Sequence, residues 1–165
     1  MMGRAVLVLM LFALGGCGLR PLYSGGAVGA VATTLGTVTI SPIPGQAGWL
    51  VRNKLVERFG EGETEAAAFR LDVTLDDNIT TFGVRSDQAA TQERRTLRAR
   101  FQLVDLRNGM VVLDATAGSD ATLDIVSSEY ATVAAEQTAL ENLSETVADQ
   151  ITARVALFAS RTKAK

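Results

Sequence analysis

Between Arg85 and Arg107 the chain places six arginines, at positions 85, 94, 95, 98, 100 and 107, against three acids, Asp87, Glu93 and Asp105. The chain as a whole is acidic, with 16 Lys plus Arg against 18 Asp plus Glu and a formal charge of -2. A planar guanidinium offers paired donors to a phosphate or a carboxylate, so this run is the first candidate for a ligand-binding surface. Arg98 and Arg100 fall on one side of an alternating segment with Gln102, opposite Leu97, Ala99 and Phe101. The same pattern also serves as charge that keeps an edge strand from pairing with other chains. The spacing leaves both readings open.

Other chemistries are excluded by residue type. The chain has no histidine and one cysteine, so it can build no Ser-His-Asp or Cys-His nucleophile, no histidine-based metal site and no intrachain disulfide. Asp72, Asp76, Glu93 and Asp105 alternate with apolar residues and read as solvated strand faces rather than as two acids converging on a cleft. No glycine-rich phosphate loop joins a strand to a helix, and Ser127, Ser128 and Lys54 do not have the spacing of a Ser-Lys dyad. No cofactor and no metal is expected, and the reading is that of a non-enzyme. The net charge likewise gives no field for nucleic acid.

The single thiol carries a different chemistry. Arg4 is followed by an apolar run from Ala5 to Leu14 and then by Gly15-Gly16-Cys17, the three parts of a secretion signal, and the run is too short to span a bilayer. Leu14-Gly15-Gly16-Cys17 resembles the lipobox of bacterial lipoproteins, in which the cysteine thiol is acylated and becomes the new N-terminus. Residues 1–16 are therefore expected to be a lipoprotein signal peptide, Cys17 the lipidation site, and residues 17–36, rich in Gly, Ala, Val and Thr, a lipidated tether or linker.

The elements that must position the arginines follow from periodicity. Val38 and Ile40 alternate with threonines in a short strand that stops at Pro42 and Pro44. Trp49, Val51, Leu55, Val56 and Phe59 fall on one helical arc, which Gly60 terminates. Phe69, Leu71, Val73 and Leu75 alternate with Arg70, Asp72, Thr74 and Asp76, and Leu97 to Leu103 repeat this grammar. Residues 77–96 are read as both strands continuing beyond the core to a turn at Arg85-Ser86-Asp87-Gln88, the alternative being a mobile loop of about 15 residues. Asn108-Gly109 marks a second hairpin, with a return strand from Met110 to Thr116. From Tyr130 to Phe158 there is neither Gly nor Pro, and Leu140, Leu143, Val147, Ile151 and Val155 define one long amphipathic helix. Its stripe is expected to cover the face of Phe69, Leu71, Val73, Phe101 and Leu103.

This order resembles that of the lipopolysaccharide-assembly lipoprotein family, LptE. The residues that carry the resemblance are Cys17-Gly18-Leu19-Arg20-Pro21-Leu22-Tyr23, Val51-Arg52-Asn53-Lys54-Leu55, Phe82-Gly83-Val84-Arg85 and Glu136-Gln137. The resemblance implies an α+β fold with two helices packed on one face of a four-stranded, largely antiparallel sheet, here a single domain over residues 37–160 with a basic tail at 161–165. It implies an outer-membrane lipoprotein that faces the periplasm, plugs the LptD-like lipopolysaccharide-export β-barrel and helps deliver lipopolysaccharide to the cell surface. By position, Arg85 inherits the family's basic lipopolysaccharide contact, and Arg94 and Arg95 on the returning strand join it. The competing reading is an auxiliary lipoprotein subunit of an envelope lipid transporter.

Overall fold

The computed structural model describes residues 30–60, 67–84, 90–125 and 128–162. Cys17, the turn around Arg85 and residues 163–165 lie outside them. In chain order the elements are α1 (Ala30–Leu35), β1 (Val38–Ile40), α2 (Gly45–Phe59), β2 (Phe69–Val84), β3 (Ala90–Asp105), β4 (Met110–Asp124) and α3 (Glu129–Thr162). The four strands form one sheet in the order β1-β2-β3-β4.

Two expectations are corrected at the N-terminal side. The sheet is mixed, because β1 pairs with β2 in parallel, Val38 opposite Phe69 and Ile40 opposite Leu71. The reason is connectivity: α2 carries the chain back along the sheet, so β2 re-enters in the direction of β1. There are three helices rather than two, since the last residues of the stretch read as linker form α1, with Leu35 buried in the core.

The strands bury every second residue. Leu71 faces Leu103 and Val73 faces Phe101 across β2 and β3, and Ala115 and Ala117 continue this face on β4 opposite Phe101 and Ala99. Leu71, Leu97, Phe101 and Leu103 are fully buried, as are Leu140, Val147, Ile151 and Val155 of α3. The expected stripe of α3 therefore packs on the expected sheet face. Strand β4 runs eight residues past the predicted Thr116, to Asp124. Its inward positions there are Ala117, Ser119 and Ala121, small residues that leave room for α3 but give no apolar alternation to read.

Helix α2 buries Ala47, Gly48, Val51, Leu55 and Phe59. Trp49, expected in this stripe, is 63% exposed; at 100° per residue it lies about 140° from the centre of the buried arc. Gly48 is small for a reason: a Cβ there would come within 2.5 Å of the Ile43 carbonyl oxygen. Gln46 donates to Gln137 at 2.8 Å and Arg58 to Asp149 at 2.7 Å. Both pairs are separated by 91 residues, so α2 and α3 run side by side in the same direction.

The edge strand is closed by a side chain rather than by charge alone. The Gly118 N–H donates to Gln150 Oε1 at 3.0 Å, and Gln150 Nε2 donates to the Gly118 carbonyl at 3.2 Å. One glutamine of α3 thus takes the place of a neighbouring strand at that residue.

Leu143 is 4% exposed and Val133, on the same helix, 57%. Leu143→Ala should cost about 2–5 kcal/mol, read as a lower urea midpoint, whereas Val133→Ala should leave the midpoint nearly unchanged. Equal effects would show that α3 presents a different face to the sheet.

Candidate functional site

Strands β2 and β3 pair continuously from Phe69 with Asp105 to Val84 with Ala90, while the buried part of β2 ends near Leu75 and residues 76–83 are all exposed. The hairpin therefore projects as a ribbon held by its own ladder, with β4 alongside as far as Asp124 opposite Gln92. The expected extension of both strands past the core is what the structure contains.

Arg95 fixes this ribbon to the rest of the molecule. On the helix-facing side its Nε–H donates to Asp77 Oδ1 at 2.9 Å, its Nη2 to Asp77 Oδ2 at 2.6 Å, and its Nη1 to the Glu136 carbonyl of α3 at 3.1 Å. The side chain is only 11% exposed. Hydrogen bonding to Asp77 raises its already high pKa, so the guanidinium stays charged at any pH at which the protein folds. A bidentate arginine that also caps a helix carbonyl ties three elements together at one point.

Arg94, one residue earlier, points to the opposite face, where its guanidinium lies 5.3 Å from the centre of the Phe82 ring. The structure thus separates Arg94 from Arg95: the first is presented on the open face of the hairpin, the second is engaged beneath it. Arg85 lies outside the described residues. Of the remaining arginines in the run, Arg100 pairs with Asp114 at 2.9 Å and Arg107 with Asp105 at 2.6 Å. Arg98 lies across Gly118, where a Cβ would meet its Cδ at 2.6 Å. Among the described residues, Arg94 and Arg98 are the members of the run with no acidic partner within ion-pair distance.

The open face of the sheet is polar along its length. Arg70 holds Asp72 through both carboxylate oxygens, and Asp114 accepts from Arg100 and from Gln102. Hydrogen bonding by Arg70 draws the Asp72 carboxyl below its ordinary pKa, and Arg100 does the same to Asp114. Sequence reading identifies the arginines and names Glu136 only among the residues that carry the family resemblance; it does not single out Asp77 or Gln150. Glu136 lies one turn before Leu140, in line with the stripe that faces the sheet, and Gln150 lies at its margin, so their partners are set by the approach of β3 and β4 and not by periodicity.

Among the described residues no group of three His, Cys, Asp or Glu side chains is arranged to hold a metal ion. An open groove of about 560 Å³ between β4 and α3 is lined by Ala121, Leu123, Ala134 and Ala139 together with Ser119, Asp120 and Thr138. No described helix is long and apolar enough to cross a membrane.

Glu93 is a carboxyl of the ribbon held in an unfavourable setting. Burial, then the charge of Glu136 and a hydrogen bond to it, raise its pKa above the ordinary value. Glu136 is the charged group that acts on it. An acid whose pKa is raised by folding is most compatible with the fold when protonated, so stability falls as pH rises from the ordinary carboxylate range through the raised value. Glu93→Gln should therefore raise the Tm at pH 7 and leave it nearly unchanged at pH 4. A Tm lowered at pH 7 would mean that the Glu93 charge supports the ribbon.

A family model described as LptE, lipopolysaccharide-assembly, matches residues 35–155, which spans the domain from the end of α1 to the last turns of α3. Among curated proteins none matches the chain. Solved structures share the fold. A candidate lipoprotein from Caulobacter crescentus CB15 aligns with a TM-score of 0.64 at 24% identity, over 80% of this chain and 98% of that one. Rare lipoprotein B from Shewanella oneidensis aligns with a TM-score of 0.58 at 11% identity, over 77% and 97%. A minor lipoprotein from Acinetobacter baumannii gives 0.58 at 12%, over 73% and 91%.

Proposed function

This chain belongs to the LptE lipopolysaccharide-assembly family, and from that premise we propose that it is a non-enzymatic outer-membrane lipoprotein, anchored through acylated Cys17. In this reading it plugs and helps assemble the β-barrel that exports lipopolysaccharide. The observation that carries the reading is the projecting ribbon: strands β2 and β3 continue well beyond the core, fastened at Arg95, and display a polar open face.

Such a shape suits the inside of a barrel. The lumen of a transmembrane β-barrel is polar because lipid-facing and lumen-facing residues alternate along each strand. An inserted element needs polar side chains on the surfaces it turns to that wall, and the open face of the ribbon supplies them through Asp76, Asn78, Thr80, Arg94, Thr96 and Arg98. Fastening by Arg95 keeps the ribbon in one orientation, so little conformational entropy is lost on insertion.

Within this reading Arg94, with Arg85 at the turn, contacts lipopolysaccharide through its phosphate or carboxylate groups, and Arg95 positions the strand that presents them. A guanidinium in a lumen with restricted water makes a charge-assisted bond stronger than an exposed salt bridge. The family match favours this role over that of an auxiliary subunit of a lipid transporter.

Two experiments test the proposal. Cys17→Ala should stop maturation, and mass spectrometry of the wild-type chain should find acylated Cys17 as the first residue; an unmodified Cys17 would remove the anchor. Affinity purification should recover an outer-membrane barrel, and Arg85→Glu with Arg94→Glu should lower the co-purified lipopolysaccharide several-fold while circular dichroism and barrel recovery stay unchanged. Recovery of inner-membrane transporter subunits in place of a barrel would overturn the assignment. Unchanged lipopolysaccharide in the double variant would reduce the ribbon to a structural element.

A further inference from the structure

Strand β4 is an outer strand of the sheet, and its second half joins an unpaired backbone to a groove. Along a strand the N–H and C=O of one residue point to the same side, and those of the next residue to the other. At Gly118 both point away from β3, because both are bonded to Gln150 of α3. The register with β3 then runs without interruption from Gly118 opposite Arg98 to Asp124 opposite Gln92. The outward backbone groups beyond Gly118 are therefore those of Asp120, Thr122 and Asp124. Among the described residues nothing pairs with them.

The first half of β4 is closed by other means. Gln150 fills the pairing position at Gly118, and an irregularity opposite Leu103 and Val104 leaves Val112 outside the ladder. A bulge of this kind bends an edge and blunts it against further pairing. No such device interrupts Ser119 to Asp124. Beside that stretch lies the groove of about 560 Å³, with Ala121 and Leu123 on its strand side and Ala134 and Ala139 on its helix side. Asp120, at the rim, is the one charged residue that lines it.

We propose that Ser119–Asp124 receives an extended segment of the barrel chain as an added strand, apolar towards the groove and basic towards Asp120 and Asp124. The inference rests on the proposed plug function and names a surface through which the plug is held. In such an addition the backbone ladder supplies affinity, and the sites that take alternate side chains supply specificity. Here the groove takes one set. The other set meets the open face, where Asp120 and Asp124 are exposed.

Charge selects this occupant over a second copy of the chain. Two-fold antiparallel pairing of the whole free stretch would set Asp120 opposite Asp124, and like charges directly opposed destabilise a strand pair. The occupant is a loop segment and not a wall strand, because the strands of a closed barrel have no free edge. Gln150 also fixes where the added strand ends, since the position it fills at Gly118 is not open to a second partner.

The test uses the full acylated chain in detergent, alone and as recovered with its barrel. Hydrogen exchange is read at single amides, and barrel recovery is measured for variants. A proline at an outward N–H removes a donor from the free edge and none from the β3–β4 ladder. Thr122→Pro should lower barrel recovery several-fold, whereas Thr116→Pro, on the far side of Gln150, should not, and both should melt near the wild type. Asp120→Lys, at an exposed side chain, should also lower recovery several-fold. In the wild-type complex the amides of Asp120, Thr122 and Asp124 should exchange several-fold more slowly than in the chain alone. Unchanged exchange overturns the inference and leaves the plug standing. Slowed exchange with full recovery by Thr122→Pro and Asp120→Lys is occlusion without pairing and does the same. If Thr122→Pro melts well below the wild type, Asp120→Lys decides, and unchanged recovery overturns the inference. Protection that needs no barrel and rises with protein concentration assigns the edge to a second copy and overturns it too. A wild-type chain that recovers no barrel overturns the plug reading, and the inference with it.

Discussion

The sheet has one apolar face, and that constraint organises the rest of the molecule. Alternation puts Leu71, Val73, Leu97, Ala99, Phe101 and Leu103 on the same side of β2 and β3, while the other side carries arginine, aspartate, threonine and glutamine. Two long helices must share the apolar side, so they lie parallel, joined by Gln46 with Gln137 and Arg58 with Asp149. The edge strand β4 turns small residues, Ala117, Ser119 and Ala121, to α3, and Gln150 of α3 bonds Gly118 there.

Hydrophobic burial ends well before the hairpin does. Beyond Leu75 the ribbon is maintained by its backbone ladder and by Arg95, which connects β2, β3 and the first turns of α3. Polar fastening of this kind is directional. It holds the ribbon at one angle without covering its open face, which stays available to a partner. Glu93 is placed between burial and Glu136, which together raise its pKa.

The molecule has two ends of different character, joined by a core that serves neither directly. One carries the ribbon with Arg94 displayed and Arg95 engaged. The other carries the entry of the chain through α1 and the β3–β4 turn, where Asp105 holds Arg107.

Much of this was legible in the residues themselves. Strict alternation specifies β2, β3 and their buried face, the run without Gly or Pro specifies α3, and Asn108-Gly109 specifies the second hairpin, because each depends on periods and backbone preferences that are local to the chain. The arginine excess was legible as composition. Its division was not: Arg94 and Arg95 are neighbours in sequence, yet the pleat of β3 turns them to opposite faces, and only the approach of Asp77 and Glu136 makes one a fastener and leaves the other displayed. The parallel pairing of β1, the extension of β4 to Asp124 and the exposure of Trp49 were decided by tertiary structure for a related reason. Each depends on where a helix lies relative to the sheet, a relation between elements that no window of sequence contains.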